Sequence, residues 1–289
     1  MADLQQYQKY RLKRESSGSK IFKFVLWIIL ILIAIWIFKG CFGKKETTSP
    51  NTNANVNVNV NANSNLDISA NANANTNVSV APSTSFNLDN CRAAFSRGQN
   101  RKQVTLTFNG ASKTDNLAQI SDILKTSSVP ASFFMTGELI SENKEAVKSL
   151  SDQGFSIYNL SYDYSHIVSL SAEDLTSQLK RTDDACISAT GKSSKPFFRP
   201  PYGEISDSIF TTVKNDGYCP VLWTVDAYDW DTSQTADGAK TRVLDNLKDG
   251  TIVVMQAGTK LVPQFLPDLI NEIKNRGYSF VDLPTILTP

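Results

Sequence analysis

The chain has 289 residues, 41% apolar and 20% charged, with 29 Lys and Arg against 28 Asp and Glu for a net charge of +1. That balance excludes a nucleic-acid binder working through a global positive field, and the length allows one or two domains. Four cysteines with no Cys-x-x-Cys pair exclude a thiolate metal cluster.

The chain opens on a basic segment, residues 1–20, and Lys9, Arg11, Lys13, Arg14, Lys20 and Lys23 all fall within the first 23 positions. Residues 21–40 read as a transmembrane helix. Phe24 to Phe38 is unbroken apolar sequence, and from Ile21 the stretch runs 18 positions, within the roughly 17–25 that a spanning helix needs. Lys23 and Lys39 can snorkel to the two interfaces, and Trp27 and Trp36 lie where aromatic belts form. The basic flank places the N-terminus in the cytoplasm and everything after residue 40 outside, as a single-pass membrane protein. It reads as that flank rather than as a nucleic-acid patch. A cleaved signal peptide would need a small-x-small site, which does not follow. Lipoprotein cleavage at Gly40-Cys41 is the other alternative, and Phe38 and Lys39 fit it poorly.

Residues 41–88 form an asparagine-rich linker. From Asn51 to Asn65 asparagine alternates with Thr, Ala, Val or Ser, and the pattern returns at Asn71 to Asn77. Small intervening residues build no apolar face, so the segment cannot offset its ordering entropy and reads as a disordered tether. A coil over 45–88 reaches roughly 35 Å, enough to lift a domain off a lipid surface.

Residues 89–289 read as the folded domain. Val104–Phe108 is a buried strand, Asn116–Lys125 a helix, Pro130–Met135 a strand, Asn143–Gln153 a helix ended by Gly154, and Phe155–Tyr158 a strand. Ser171 caps a helix running to about Ala189. Phe197-Phe198-Arg199 follows, then a helix over Asp207–Asp216 and a strand over Val221–Val225. A helix over Thr235–Leu247, a strand over Thr251–Met255, a helix over Pro263–Arg276 ended by Gly277 and a strand over Phe280–Leu283 complete the domain. This alternation implies a parallel α/β sheet, either a barrel or doubly wound, with functional groups at the C-terminal strand ends. Cys186 and Cys219 are either bridged to each other or buried as free thiols.

Several stretches resemble the polysaccharide deacetylase family, the NodB homology domain of carbohydrate esterase family four. Arg199-Pro200-Pro201-Tyr202-Gly203 matches its Arg-Pro-Pro-Tyr-Gly motif. Trp223 to Trp230 matches its Trp-x-Val-Asp-x-x-Asp-Trp segment, and Val104–Phe108 matches the strand before its first motif. Pro130–Phe134 with Gly137, and Ile273–Val281, also fit. The resemblance covers residues 97–285 in order and implies a distorted (β/α) barrel of seven or eight strands.

It also implies a divalent metal, typically zinc, held by one Asp and two His, with a second Asp as base and a later His as acid. Each of those positions is changed here. Asn109 stands at the base position and Gly110 at the metal aspartate. Leu160 and Tyr164 stand at the two histidine ligands, and Gln256 at the acid histidine. His166, the lone histidine, is the remaining metal candidate after a local shift. Support residues persist: Arg199, which in the family pairs with the base, and Asp229, which orients the acid. The resemblance assigns sugar contacts to Arg199, Pro200, Tyr202, Asp226, Asp229 and Trp230. An alternative reading of the retained set is structural, with Arg199 and Asp229 paired at the barrel mouth.

These substitutions leave no catalytic residue to assign and imply no cofactor. The sequence therefore implies a membrane-anchored, extracytoplasmic pseudoenzyme that binds cell-envelope polysaccharide, peptidoglycan or chitin-like, and no nucleic acid. One alternative is an active N- or O-deacetylase whose rearranged site recruits zinc or another divalent ion through Asp163, His166 and Asp115 or Asp226. A second alternative is an envelope scaffold for a protein partner.

Overall fold

The computed structural model describes residues 86–289, except 92 and 93. The basic segment, the expected transmembrane helix, the possible cleavage at Cys41 and nearly all of the linker lie outside the described residues. Among the described residues no helix is long and apolar enough to cross a membrane.

Among the described residues eight strands and eight helices follow one another in chain order. The first half holds β1 (Gln103–Gly110), α1 (Leu117–Thr126), β2 (Ala131–Met135), α2 (Gly137–Glu142), α3 (Lys144–Asp152), β3 (Ser156–Asn159) and α4 (Ala172–Thr190). The second holds β4 (Phe197–Phe198), α5 (Asp207–Asn215), β5 (Cys219–Pro220), β6 (Val225–Asp226), α6 (Ala236–Asp245), β7 (Thr251–Gln256), α7 (Val262–Asn275), β8 (Ser279–Phe280) and α8 (Leu283–Leu287). The strands pair in the order β5-β4-β3-β2-β1-β7-β6, with β8 beside β1, and every pairing is parallel. Parallel strands are buried on both faces, which is why their sequences read as near-continuous apolar runs.

Alternation along β1 separates the two faces. Val104, Leu106 and Phe108 enter the layer between sheet and helices, packing with Phe133, Leu139 and Phe265. Thr105 and Thr107 are fully buried on the opposite, inner face. Phe134, Tyr158 and Phe197 fill the interior, and Leu283, Ile286 and Leu287 of α8 close it.

The sheet must curl. β5 and β6 are its two opposite edges, yet only residues 221–224 separate them. Five residue steps from Pro220 to Val225 span at most about 18 Å, so the edges converge on one seam. Phe95 fills it, bridging in parallel to Val221, donating its N–H to Pro220 O at 2.9 Å and accepting from Leu222 N at 2.7 Å.

Several expectations change here. The single strand expected over Val221–Val225 is this seam: two short strands on different neighbours joined by a crossing. The strand expected over Phe280–Leu283 stops at Phe280, because Asp282 accepts from Thr285 N and starts α8. Helix α2 was not foreseen; its six residues are too few for a periodic pattern, and Thr136 caps it by accepting from Leu139 N. Gly137 opens it because a Cβ there would run into the Tyr162 ring. Ser171 caps α4, and Gly191 ends it in a left-handed conformation with φ 73°. Cys219 bonds to Cys91, with Cα atoms 5.8 Å apart, and Cys186 is a free, buried thiol. The pairing between Cys186 and Cys219 fails because Cys186 faces the helix layer while Cys219 faces the interior.

Candidate functional site at the barrel mouth

Asn109, Arg199, Asp226 and Gln256 sit at or just beyond the C-terminal ends of β1, β4, β6 and β7. The parallel sheet brings these four to one end, where such folds place their sites.

Arg199 is fully buried at the centre of this end. Its Nη1 donates to Thr107 Oγ1 at 2.9 Å and Asn109 Oδ1 at 3.0 Å; Nε donates to Val221 O at 3.1 Å and Nη2 to Leu222 O at 3.0 Å. The guanidinium lies 4.0 Å over the Phe134 ring. Burial pulls its pKa down to about 9, offset in part by Tyr164 and Asp226, so it keeps its charge at neutral pH. Its acceptors are all neutral. The expected pairing with Asp229 does not form; Arg199 instead ties β1 to the seam, as a spoke across the interior.

Asp229 is also buried. Its Oδ2 accepts from Gln256 N at 3.0 Å and Thr259 Oγ1 at 2.7 Å, while Oδ1 is buried without a hydrogen-bond partner. Burial pushes its pKa up to about 6, and the negative charge of Asp226 adds to that. Asp226 folds the next turn, accepting from Tyr228 N at 2.8 Å and Trp230 Nε1 at 3.3 Å. Burial raises its pKa as well.

Aromatic side chains line the mouth in two groups. Tyr164 and Tyr202 have ring centroids 4.9 Å apart, and His166 stacks on Tyr202 at 4.1 Å with planes 17° apart. Across from them in the sequence order, Tyr228 lies 5.1 Å from Trp230, with Arg242 4.0 Å over its ring. Tyr164, Tyr202 and Tyr228 hold φ of 59°, 57° and 59°. A left-handed backbone is an outlier for a bulky residue and costs roughly 1–3 kcal/mol each, strain that clusters at binding and active sites.

The loop after β3 is set by Asn159, which keeps the family register, and by Gln178, which the sequence did not flag. Asn159 Oδ1 accepts from Ser161 N, and its Nδ2 donates to Leu179 O and Tyr218 OH. Gln178 Oε1 accepts from Ser161 Oγ and Tyr162 N, while its Nε2 donates to Asp163. Glu204 was missed too: its carboxylate is fully buried and shares a 2.7 Å hydrogen bond with His166 Nδ1. Asn159 and Glu204 adjoin motif positions, and nothing in the sequence marks Gln178.

A family model described as polysaccharide deacetylase matches residues 96–221. A carbohydrate esterase family four pseudoenzyme of Bacillus anthracis is 30% identical, with 68% of this chain and 69% of that chain covered at a TM-score of 0.65. A mutant of it described as having restored enzymatic activity matches at 30% identity and the same TM-score, with 71% of that chain covered. The chain belongs to the polysaccharide deacetylase family. Curated relatives include the peptidoglycan-N-acetylmuramic acid deacetylase of Bacillus subtilis, 25% identical over 64% of this chain and 72% of its own length. A peptidoglycan-N-acetylglucosamine deacetylase of Bacillus cereus is 29% identical over 67% and 71%.

Deacetylases of this family are typically metal-dependent, and the residues present here do not fit the metal. Gly110 offers no donor, and a Cβ on it would sit 3.0 Å from Leu139 Cδ2 and 3.3 Å from Met135 Cγ, inside apolar packing. Leu160 is fully buried against the interior cluster. Tyr164 packs on Tyr202, and burial pushes its phenol up to about 12, so it stays protonated. Among the described residues no three His, Cys, Asp or Glu gather into a metal-sized group. The alternative set of Asp163, His166, Asp115 and Asp226 is therefore not assembled. Asp163 is held by Ser165 N and Gln178, Asp226 by its own turn, and His166 by Glu204 and Tyr202.

Proposed function

We infer that this polysaccharide deacetylase family member is a non-catalytic, membrane-anchored protein that binds cell-envelope glycan outside the cytoplasm. One observation carries the reading. Aromatic side chains wall the mouth, with Tyr202 and Tyr228 held in strained backbone, while the chemical positions hold Asn109, Gly110, Leu160, Tyr164 and Gln256. Aromatic faces stack on sugar rings without proton transfer or a metal. The amide of Asn109 is not a useful base at neutral pH, and its Oδ1 is already engaged by Arg199. The names of the relatives favour peptidoglycan as the glycan, and a pseudoenzyme neighbour is a precedent within the family for a barrel without its reaction. The Cys91–Cys219 disulfide suits an oxidising compartment, in keeping with the apolar run at 21–40.

The test is acetate release and metal content of the full chain in detergent, beside retention on peptidoglycan. The expected result is no acetate, with or without added zinc, no stoichiometric metal, and retention that weakens in Tyr202→Ala and Trp230→Ala. Each lost ring contact is worth about 0.5–1.5 kcal/mol, or roughly 2–12-fold in affinity. Turnover with bound zinc would overturn the non-catalytic reading, and unchanged retention in both variants would overturn the groove.

A further inference from the structure

On the outer helix layer, α2, α3 and α4 frame an open surface cavity of about 380 Å³ lined by Ser141, Lys144, Tyr162, Arg181, Asp184 and Ser188. That volume is within the range of small-ligand sites. The guanidinium of Arg181 lies 3.5 Å over the Tyr162 ring. A guanidinium stacked this way has one face covered and its N–H edge turned outward, the arrangement suited to forked recognition of a planar anion. Among the described residues Arg181 joins no ion pair or hydrogen bond with another side chain or carbonyl, so that edge is unspent. Lys144 is the second cation, steadied across the cavity by donating to Ser188 Oγ at 3.1 Å. The lining sets two cations, Lys144 and Arg181, against one anion, Asp184, whose carboxylate also accepts from Lys180 at 2.6 Å, so its balance is positive.

The cavity is joined to the mouth through one short piece of chain. Tyr162 lines the cavity, and Tyr164, two positions on, packs on Tyr202 at the mouth. Ser161 O and Tyr162 O accept from Gly137 N and Glu138 N at 3.1 and 3.0 Å, fixing this strip against α2.

We propose that this cavity is a subsite for a carboxylate carried by a sugar unit of the bound glycan, gripped by the Arg181 fork and Lys144. The proposal rests on the glycan-binding reading and adds a selection for acidic over neutral chains. The serine hydroxyls of the lining can hydrogen-bond the ring substituents, and the cavity has room for such a unit.

The experiment is calorimetric titration of the full chain in detergent with two probes. One is an oligosaccharide alternating N-acetylglucosamine and N-acetylmuramic acid; the other is the same oligosaccharide with its carboxyls methyl-esterified. The expected result is roughly ten-fold or more tighter binding of the acid form, shrinking to parity in Arg181→Gln and in Lys144→Gln. Affinity for the ester should not move, and both variants should melt with the parent, since both side chains are exposed. Equal affinity of the parent for the two probes overturns the subsite while leaving the groove standing. Binding of neither probe overturns both, and a preference that survives in both variants overturns the assignment to this cavity.

Discussion

Replacing Asp229 with asparagine should stabilise the domain, and only above the acid range. The carboxyl titrates near 3.8 when unfolded and at about 6 when folded, because burial disfavours its charged form. A raised folded value means that the native state holds the proton more tightly. The stabilisation is complete below the unfolded value and is lost as pH rises through the folded one. A separation of about two pH units corresponds to about 3 kcal/mol. At pH 8 the native state therefore carries that penalty in a charged, buried oxygen without a partner. Asp229→Asn keeps an acceptor for Gln256 N and Thr259 Oγ1 and removes the charge. It also relieves Asp226, whose own carboxyl feels the neighbour. Urea unfolding of parent and variant at pH 4 and pH 8 reads the effect. The gain should widen by about 2.5 kcal/mol between the two, or roughly 5–10 °C in melting temperature for a domain of this size. A gain or loss independent of pH would refute the reasoning, since it would mean the buried charge is not what the substitution removes.

Arg199→Lys should cost about 2–5 kcal/mol, because one ammonium cannot reach Thr107, Asn109, Val221 O and Leu222 O together and buried acceptors are left unmet; thermal unfolding followed by circular dichroism measures it, and a change under 1 kcal/mol would remove the spoke from the account. Gly110→Asp should destabilise by about 1–3 kcal/mol through crowding against Leu139 and Met135, with zinc by elemental analysis staying at background. Reducing the Cys91–Cys219 bond, which closes a sequence separation of 128, should remove about 2–5 kcal/mol, seen as an earlier melt in reductant.

Much of the barrel could be read in the chain. Val104–Phe108, Thr251–Met255 and the helix from Ser171 carry long enough patterns for alternation or helical spacing to show, and their order dictates a parallel sheet. What escaped was short or non-local. β5 and β6 have two residues each, too few for any period, and their role as converging edges exists only once the sheet curls. The partner of Cys219 is Cys91, and spacing along the chain carries no information on which thiols meet in space. The positions of Asn109, Gly110 and Gln256 were legible through the family motif. Their consequences were not: that Gly110 faces apolar packing, that Arg199 keeps neutral partners, and that Asp229 is left with a bare oxygen all depend on contacts between distant strands.

The disulfide changes how the domain bears load. Tension travelling down the chain from the N-terminal side meets Cys91 before it meets Phe95. The covalent bond passes that pull to Cys219 on β5, so the hydrogen bonds of Phe95 at the seam are shielded from it. In the anchored arrangement proposed above, the barrel would be tugged without unzipping where its edges meet.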